Sequence, residues 1–99
     1  EAIAIGMVVA ATLSEARGLL QPGLAQRLAD IQSALGLAVS IPADIEPADL
    51  LEHMRLDKKN LAGRRRLVLL SAPGNAIIDE DSRDDEILAA LTACRDHPE

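Results

Sequence analysis

The chain has 99 residues, 48% of them hydrophobic, a net charge of −6 and a single cysteine. That length suits one domain, here residues 1–99, and the acidic balance leaves no electrostatic footprint for nucleic acid. Phe, Tyr and Trp are all absent, so the core must be built from Leu, Ile, Val and Ala, with no aromatic platform for bases or sugars. Cys94 has no second cysteine to pair with, which fits a reducing compartment such as the cytoplasm. Nothing basic precedes the first apolar run, so no signal peptide is expected. The expectation is a soluble, cytoplasmic, mainly α-helical domain.

The run from Ala2 to Leu13 holds one hydroxyl and no charge over twelve residues. A membrane span takes about 20 residues, so this run reads instead as a helix buried on all sides. Its alanines and Gly6 would let neighbouring elements approach closely, and Met7 would fill irregular gaps. The rest of the chain offers few residues to wrap it, which implies a missing partner. The helix turns polar at Ser14, Glu15 and Arg17, and Gly18 is its expected stop.

Pro22 falls where the first turn of a second helix tolerates proline. Leu24, Leu28, Ile31 and Leu35 then recur on one stripe, expected to pack into the core, and Gly36 ends the helix. A connector from Leu37 to Pro47 carries the breakers Pro42 and Pro47. Pro47 and Asp49 open a third helix, with Leu50, Leu51 and Met54 as its apolar side and its end near Lys58 to Asn60. Leu67 to Leu70 and Ala76 to Ile78, on either side of Pro73-Gly74, predict a short β-hairpin. A last helix follows, capped by Asp81 or Ser82 and carrying Ile87, Leu88 and Leu91.

For chemistry, the sequence offers little that is complete. At about 100° per residue, Lys58 falls within roughly 35° of the centre of the Leu50, Leu51, Met54 stripe, while Lys59 falls opposite with Glu52 and Arg55. An ammonium continuing a buried face calls for an anionic partner; a lysine at a helix C-terminus is also favourable there without any ligand. Arg64-Arg65-Arg66 suits either a phosphate or the shielding of a strand edge. His53 and His97 lack zinc-site spacing, and Cys94 has no base nearby in sequence. No glycine-rich phosphate loop is present.

Three stretches resemble the 3-dehydroquinate synthase family of sugar phosphate cyclases. Glu1-Ala2-Ile3-Ala4-Ile5-Gly6-Met7 is similar to the second part of the family's His-Gly-Glu-Ala-x-Ala-x-Gly-Met motif. His53-Met54-Arg55-Leu56-Asp57-Lys58-Lys59-Asn60 resembles its Asp-Lys-Lys segment, and residues 67–74 resemble the strand and glycine turn that follow. Residues 36–42 fall where the family has a similar loop. The resemblance implies the helical C-terminal domain of a dehydroquinate synthase-like fold, with a short β-hairpin before the last helix.

It also implies the parent activity, a lyase that converts 3-deoxy-arabino-heptulosonate 7-phosphate to 3-dehydroquinate and phosphate in the shikimate pathway of aromatic amino acid biosynthesis. The complete enzyme would use NAD and a zinc or cobalt ion, held by the N-terminal NAD-binding domain and by ligands outside this sequence. The family's metal-ligating histidine falls two positions before Glu1, so this chain alone is expected to hold neither cofactor and to be inactive. Lys58 matches the family lysine that binds the anionic sugar phosphate, with Lys59 as the alternative. Glu1 belongs to the first motif and would orient the missing metal ligand. The expected partners are the NAD-binding part of the same enzyme, the sugar phosphate substrate and, as one option, a second copy; no nucleic acid and no membrane are expected. Two rival readings are a related sugar phosphate cyclase and a non-catalytic helical interaction module whose first helix is covered by self-association.

Overall fold

The computed structural model describes residues 2–60, 67–72 and 74–96, with the side chains of Ala2 and of residues 55–60 excepted. The expectations placed on Glu1, Arg64-Arg65-Arg66, Pro73 and His97, and on the side chains of Lys58 and Lys59, lie outside the described residues. The element order is α1 (Ala2–Ala16), α2 (Leu24–Ala34), α3 (Pro47–Asn60), β1 (Leu67–Ala72), β2 (Asn75–Asp79) and α4 (Asp84–Ala93). This is the expected mainly α architecture, with one antiparallel hairpin before the last helix.

The apolar run forms α1, the hub of the fold, which packs against α2, β1 and α4. Its Val8 and Leu13 join Ile41, Leu51, Leu69 and Ile87 in the main core. Burying each such branched side chain contributes about 1.5–3 kcal/mol. The expectation of a helix covered on all sides is corrected, because Ile3 is 82% and Met7 49% exposed. Gly6 brings nothing close either: a Cβ built there would meet no atom within 4 Å. Three packing elements reach one side of the helix and leave the first two turns partly bare.

The second helix begins at Leu24, later than Pro22 would have it. Gly23 is its N-cap and adopts the left-handed region at φ 96°, a conformation glycine reaches without a Cβ clash. The cap itself comes from α1. Glu15 accepts hydrogen bonds from Gly23 N–H (2.6 Å) and Ala25 N–H (2.9 Å), placing a carboxylate at the positive end of α2. The predicted core stripe is only half right. Leu24 and Leu28 are half-buried against Ala11, Leu20 and Ala25, whereas Ile31 and Leu35 are 55% and 71% exposed. The reason is tertiary: among the described elements α2 packs against α1 alone, so only one edge of the stripe is covered.

In the hairpin, Leu69 pairs with Ile77 and Leu67 with Asp79, with a register irregularity between Leu70 and Ala72 and Gly74 in the turn at φ 76°. Ser14 fastens β1 to α1. Its fully buried hydroxyl donates to Ala10 O (2.6 Å) and accepts from Leu70 N–H (3.0 Å). Ser14→Ala should leave that strand N–H without its acceptor and cost about 1–2 kcal/mol; a shift in urea midpoint reads this out, and an unchanged midpoint would refute the role.

The expected Asp81 or Ser82 cap of α4 is also corrected. The N-cap is Arg83, whose N–H donates to Glu86 (2.9 Å). Ser82 is committed elsewhere: its hydroxyl (2.5 Å) and its N–H (2.9 Å) both donate to Asp79. Arg17, at the end of α1, completes this junction with an ion pair to Asp79 (2.5 Å) and a hydrogen bond to Ser82 Oγ (2.9 Å). The far end of α4 pins the connector. Ile41 N–H donates to Cys94 O (2.7 Å), Asp96 N–H donates to Ile41 O (2.8 Å), and Arg95 reaches Ala43 O and Glu46. No helix among the described residues is long and apolar enough to cross a membrane.

Candidate functional site

Among the described residues helix α3 lies close along α4 and meets α1 only through side chains of the shared core. The two helices are therefore separated by a cleft of about 550 Å³. Ile5, Gly6 and Val9 line it from α1, Leu50, His53 and Met54 from α3, and Leu69 from β1. Pro47 at the start of α3 has no N–H to leave unsatisfied, and Asp49 in its first turn favours the positive helix end. These local signals fix where α3 starts and hence which of its residues meet the cleft.

The walls are apolar, and His53 is the titratable side chain among the described residues that line them. His53 is exposed at the margin of the apolar face of α3, next to Met54. Helix α3 continues through position 58, one turn beyond Met54. The structure thus carries the Lys58-Lys59 segment on the helix that walls the cleft, without describing those two side chains.

The other reactive groups stay apart from this cleft. Cys94 is buried and donates a hydrogen bond to Thr12 Oγ1 (3.4 Å). Burial pushes its thiol above the ordinary value and outweighs the opposing pull of Thr12, so it is protonated at neutral pH and unsuited to nucleophilic attack. Among the described residues no group of three or more His, Cys, Asp or Glu is arranged to hold a metal ion. The donors among the described residues do not fit a zinc or cobalt site, and no chemical step is drawn through a metal.

Comparison with known proteins explains a cleft this incomplete. Residues 1–60 match the family model described as 3-dehydroquinate synthase C-terminal. A 3-dehydroquinate synthase of Xylella fastidiosa (strain M12) is 49% identical over 76 residues, 77% of this chain and 20% of that protein. The corresponding protein of Xanthomonas campestris pv. campestris (strain 8004) is 43% identical over 91 residues, 92% of this chain and 25% of its own length. That of Colwellia psychrerythraea is 38% identical over 91 residues, covering 92% of this chain and 26% of the relative. The chain thus spans about a fifth to a quarter of the relatives it matches. With the match running unbroken from α1 through the end of α3, both walls of the cleft included, the chain belongs to the 3-dehydroquinate synthase family.

Proposed function

We propose that this chain is the C-terminal part of a 3-dehydroquinate synthase, which turns 3-deoxy-arabino-heptulosonate 7-phosphate into 3-dehydroquinate and phosphate. The observation that carries the reading is the family match over residues 1–60, which takes in the Asp57-Lys58-Lys59-Asn60 segment on the helix that walls the cleft. The role of the chain in this reading is to bind and hold the substrate, through the Lys58-Lys59 segment carried by the helix that walls the cleft. NAD and a zinc or cobalt ion belong to the rest of the parent enzyme, where they would supply reversible oxidation of a carbinol and its polarisation. The chain by itself is inactive.

Lys58 is the residue assigned to the anionic substrate, with Lys59 as the alternative. An ammonium facing a phosphate or carboxylate forms charge-assisted hydrogen bonds, which are about twice as strong as neutral ones. In the intact enzyme, Lys58→Ala should lower kcat/KM for phosphate release by about tenfold or more, roughly 1.4 kcal/mol of lost stabilisation, while NAD affinity stays at its starting value. Lys59→Ala should do less. Unchanged kinetics in the first variant with a loss in the second would move the role to Lys59, and two unchanged variants would remove it from both.

A further inference from the structure

The segment just past α4 holds the start of α3, at the opposite end of that helix from its lysines. Glu46 is the residue on which α3 opens: its carbonyl accepts from Asp49 N–H (3.0 Å) and Leu50 N–H (3.3 Å). Arg95 grips this opening with its planar fork. Nε donates to Ala43 O (3.1 Å), Nη2 donates to the same carbonyl, and Nη2 also reaches Glu46 Oε1 (3.0 Å). The backbone on either side of Arg95 is fixed in turn, since Cys94 O accepts from Ile41 N–H (2.7 Å) and Asp96 N–H donates to Ile41 O (2.8 Å). The arginine is thus a half-buried clamp, 20% exposed, built on a pinned stretch of chain.

The described side chains that seat α3 most deeply, Pro47 and Leu51, fall in its first two turns. Leu51 joins Ile87 and Leu91 of α4 in the core. At about 1.5 Å of rise per residue, Glu46 lies about 7.5 Å before Leu51 and position 58 about 10.5 Å beyond it. A tilt of the helix about Leu51 is therefore larger at the lysine end than at the clamped start. We propose that Arg95 is a positioning residue for substrate binding. Its fork on Ala43 O and Glu46 fixes the direction of α3, and so sets where the Lys58-Lys59 segment meets the anionic group of the sugar phosphate. A guanidinium suits this task because it holds two acceptors in one fixed geometry. The leverage matters, because a misplacement of about 1 Å in a binding group can cost up to about a hundredfold in rate.

A clamp that only held the fold together would behave differently. Its loss would lower stability and leave substrate binding by the folded molecules as it was. The inference rests on the reading of Lys58 or Lys59 as the ligand of the anionic substrate, and a double-mutant cycle separates the two. Residues that act through one another are non-additive, whereas independent ones add.

In the intact synthase, Arg95→Ala should lower kcat/KM for phosphate release about fivefold, chiefly through a higher KM, with NAD affinity unchanged. In a Lys58→Ala/Lys59→Ala background the same substitution should change kcat/KM by less than about twofold, because the groups it positions are gone. Arg95→Lys keeps the charge without the fork and should fall between the parent and the alanine variant. Glu46 is 62% exposed, so Glu46→Gln removes the ion pair alone and should raise KM about twofold in a protein of parental Tm. That variant keeps the clamp testable even where Arg95→Ala folds poorly. A loss that persists in full in the lysine-free background, or unchanged kinetics for both Arg95→Ala and Glu46→Gln, would overturn the positioning role while the lysines keep theirs. A lysine-free synthase with parental kinetics would instead overturn the reading of the lysines, and the clamp would lose its object with them.

Discussion

Leu69→Ala is expected to destabilise the fold by about 3 kcal/mol, within the usual range of about 2–5 for a leucine removed from a packed interior. Leu69 is 1% exposed at the middle of β1 and belongs to the main core with Val8 and Leu13 of α1 and Ile87 and Leu91 of α4. Truncation removes the apolar surface where three elements meet, and none of them can move in without leaving the others. Its neighbour Val68 is 64% exposed on the opposite face of the strand, so Val68→Ala should stay within about 0.5 kcal/mol. Urea denaturation of both variants measures the difference. Equal midpoints would mean that the hairpin is not packed on α1 and α4 as described.

Asp79→Asn is expected to cost about 2 kcal/mol at neutral pH, less than the 3–5 of a fully buried pair because Arg17 keeps some contact with water. The Asp79 carboxylate ends β2 and holds the tip of α1 through Arg17 and the start of α4 through Ser82. Burial alone would raise its pKa, but hydrogen bonds from Arg17 and Ser82 and the Arg17 charge together hold it below the ordinary value. The Arg17 guanidinium is correspondingly raised, chiefly by its hydrogen bond to Asp79. A carboxyl whose pKa is depressed by folding contributes fully above its unfolded value of about 4 and loses that contribution as pH falls through the folded value. The parent should therefore lose stability more steeply than Asp79→Asn below about pH 4. Parallel pH profiles would show that the junction carries no charge-dependent stability.

Both residues show how far a sequence can be read. The three apolar or semi-apolar helices, the Pro-Gly hairpin and the acidic opening of α4 were all legible, because each has a local cause: side-chain periodicity, proline geometry, or charge at a helix end. The family relationship was legible too, since its motifs are contiguous. The caps were not. In the sequence Glu15 reads only as part of the polar end of α1, and only the return of the chain sets it against the N–H groups of Gly23 and Ala25. Ser82 had the composition of a helix cap, but Asp79, three residues back, competes for its hydroxyl.

The candidate site divides in the same way. Sequence alone determined that α3 would carry Leu50, Met54 and the Lys58-Lys59 segment on one continuous helix, because the spacing is local. It could not determine that α3 rests on α4 and stands off from α1, which opens the cleft with Gly6 on its wall. Nor could it separate the buried half of the α2 stripe from the exposed half, since an apolar face records only that something covers it. Which neighbour reaches Leu24 and Leu28 but not Ile31 and Leu35 depends on the angle and extent of helix packing, quantities set by contacts between residues far apart in the chain.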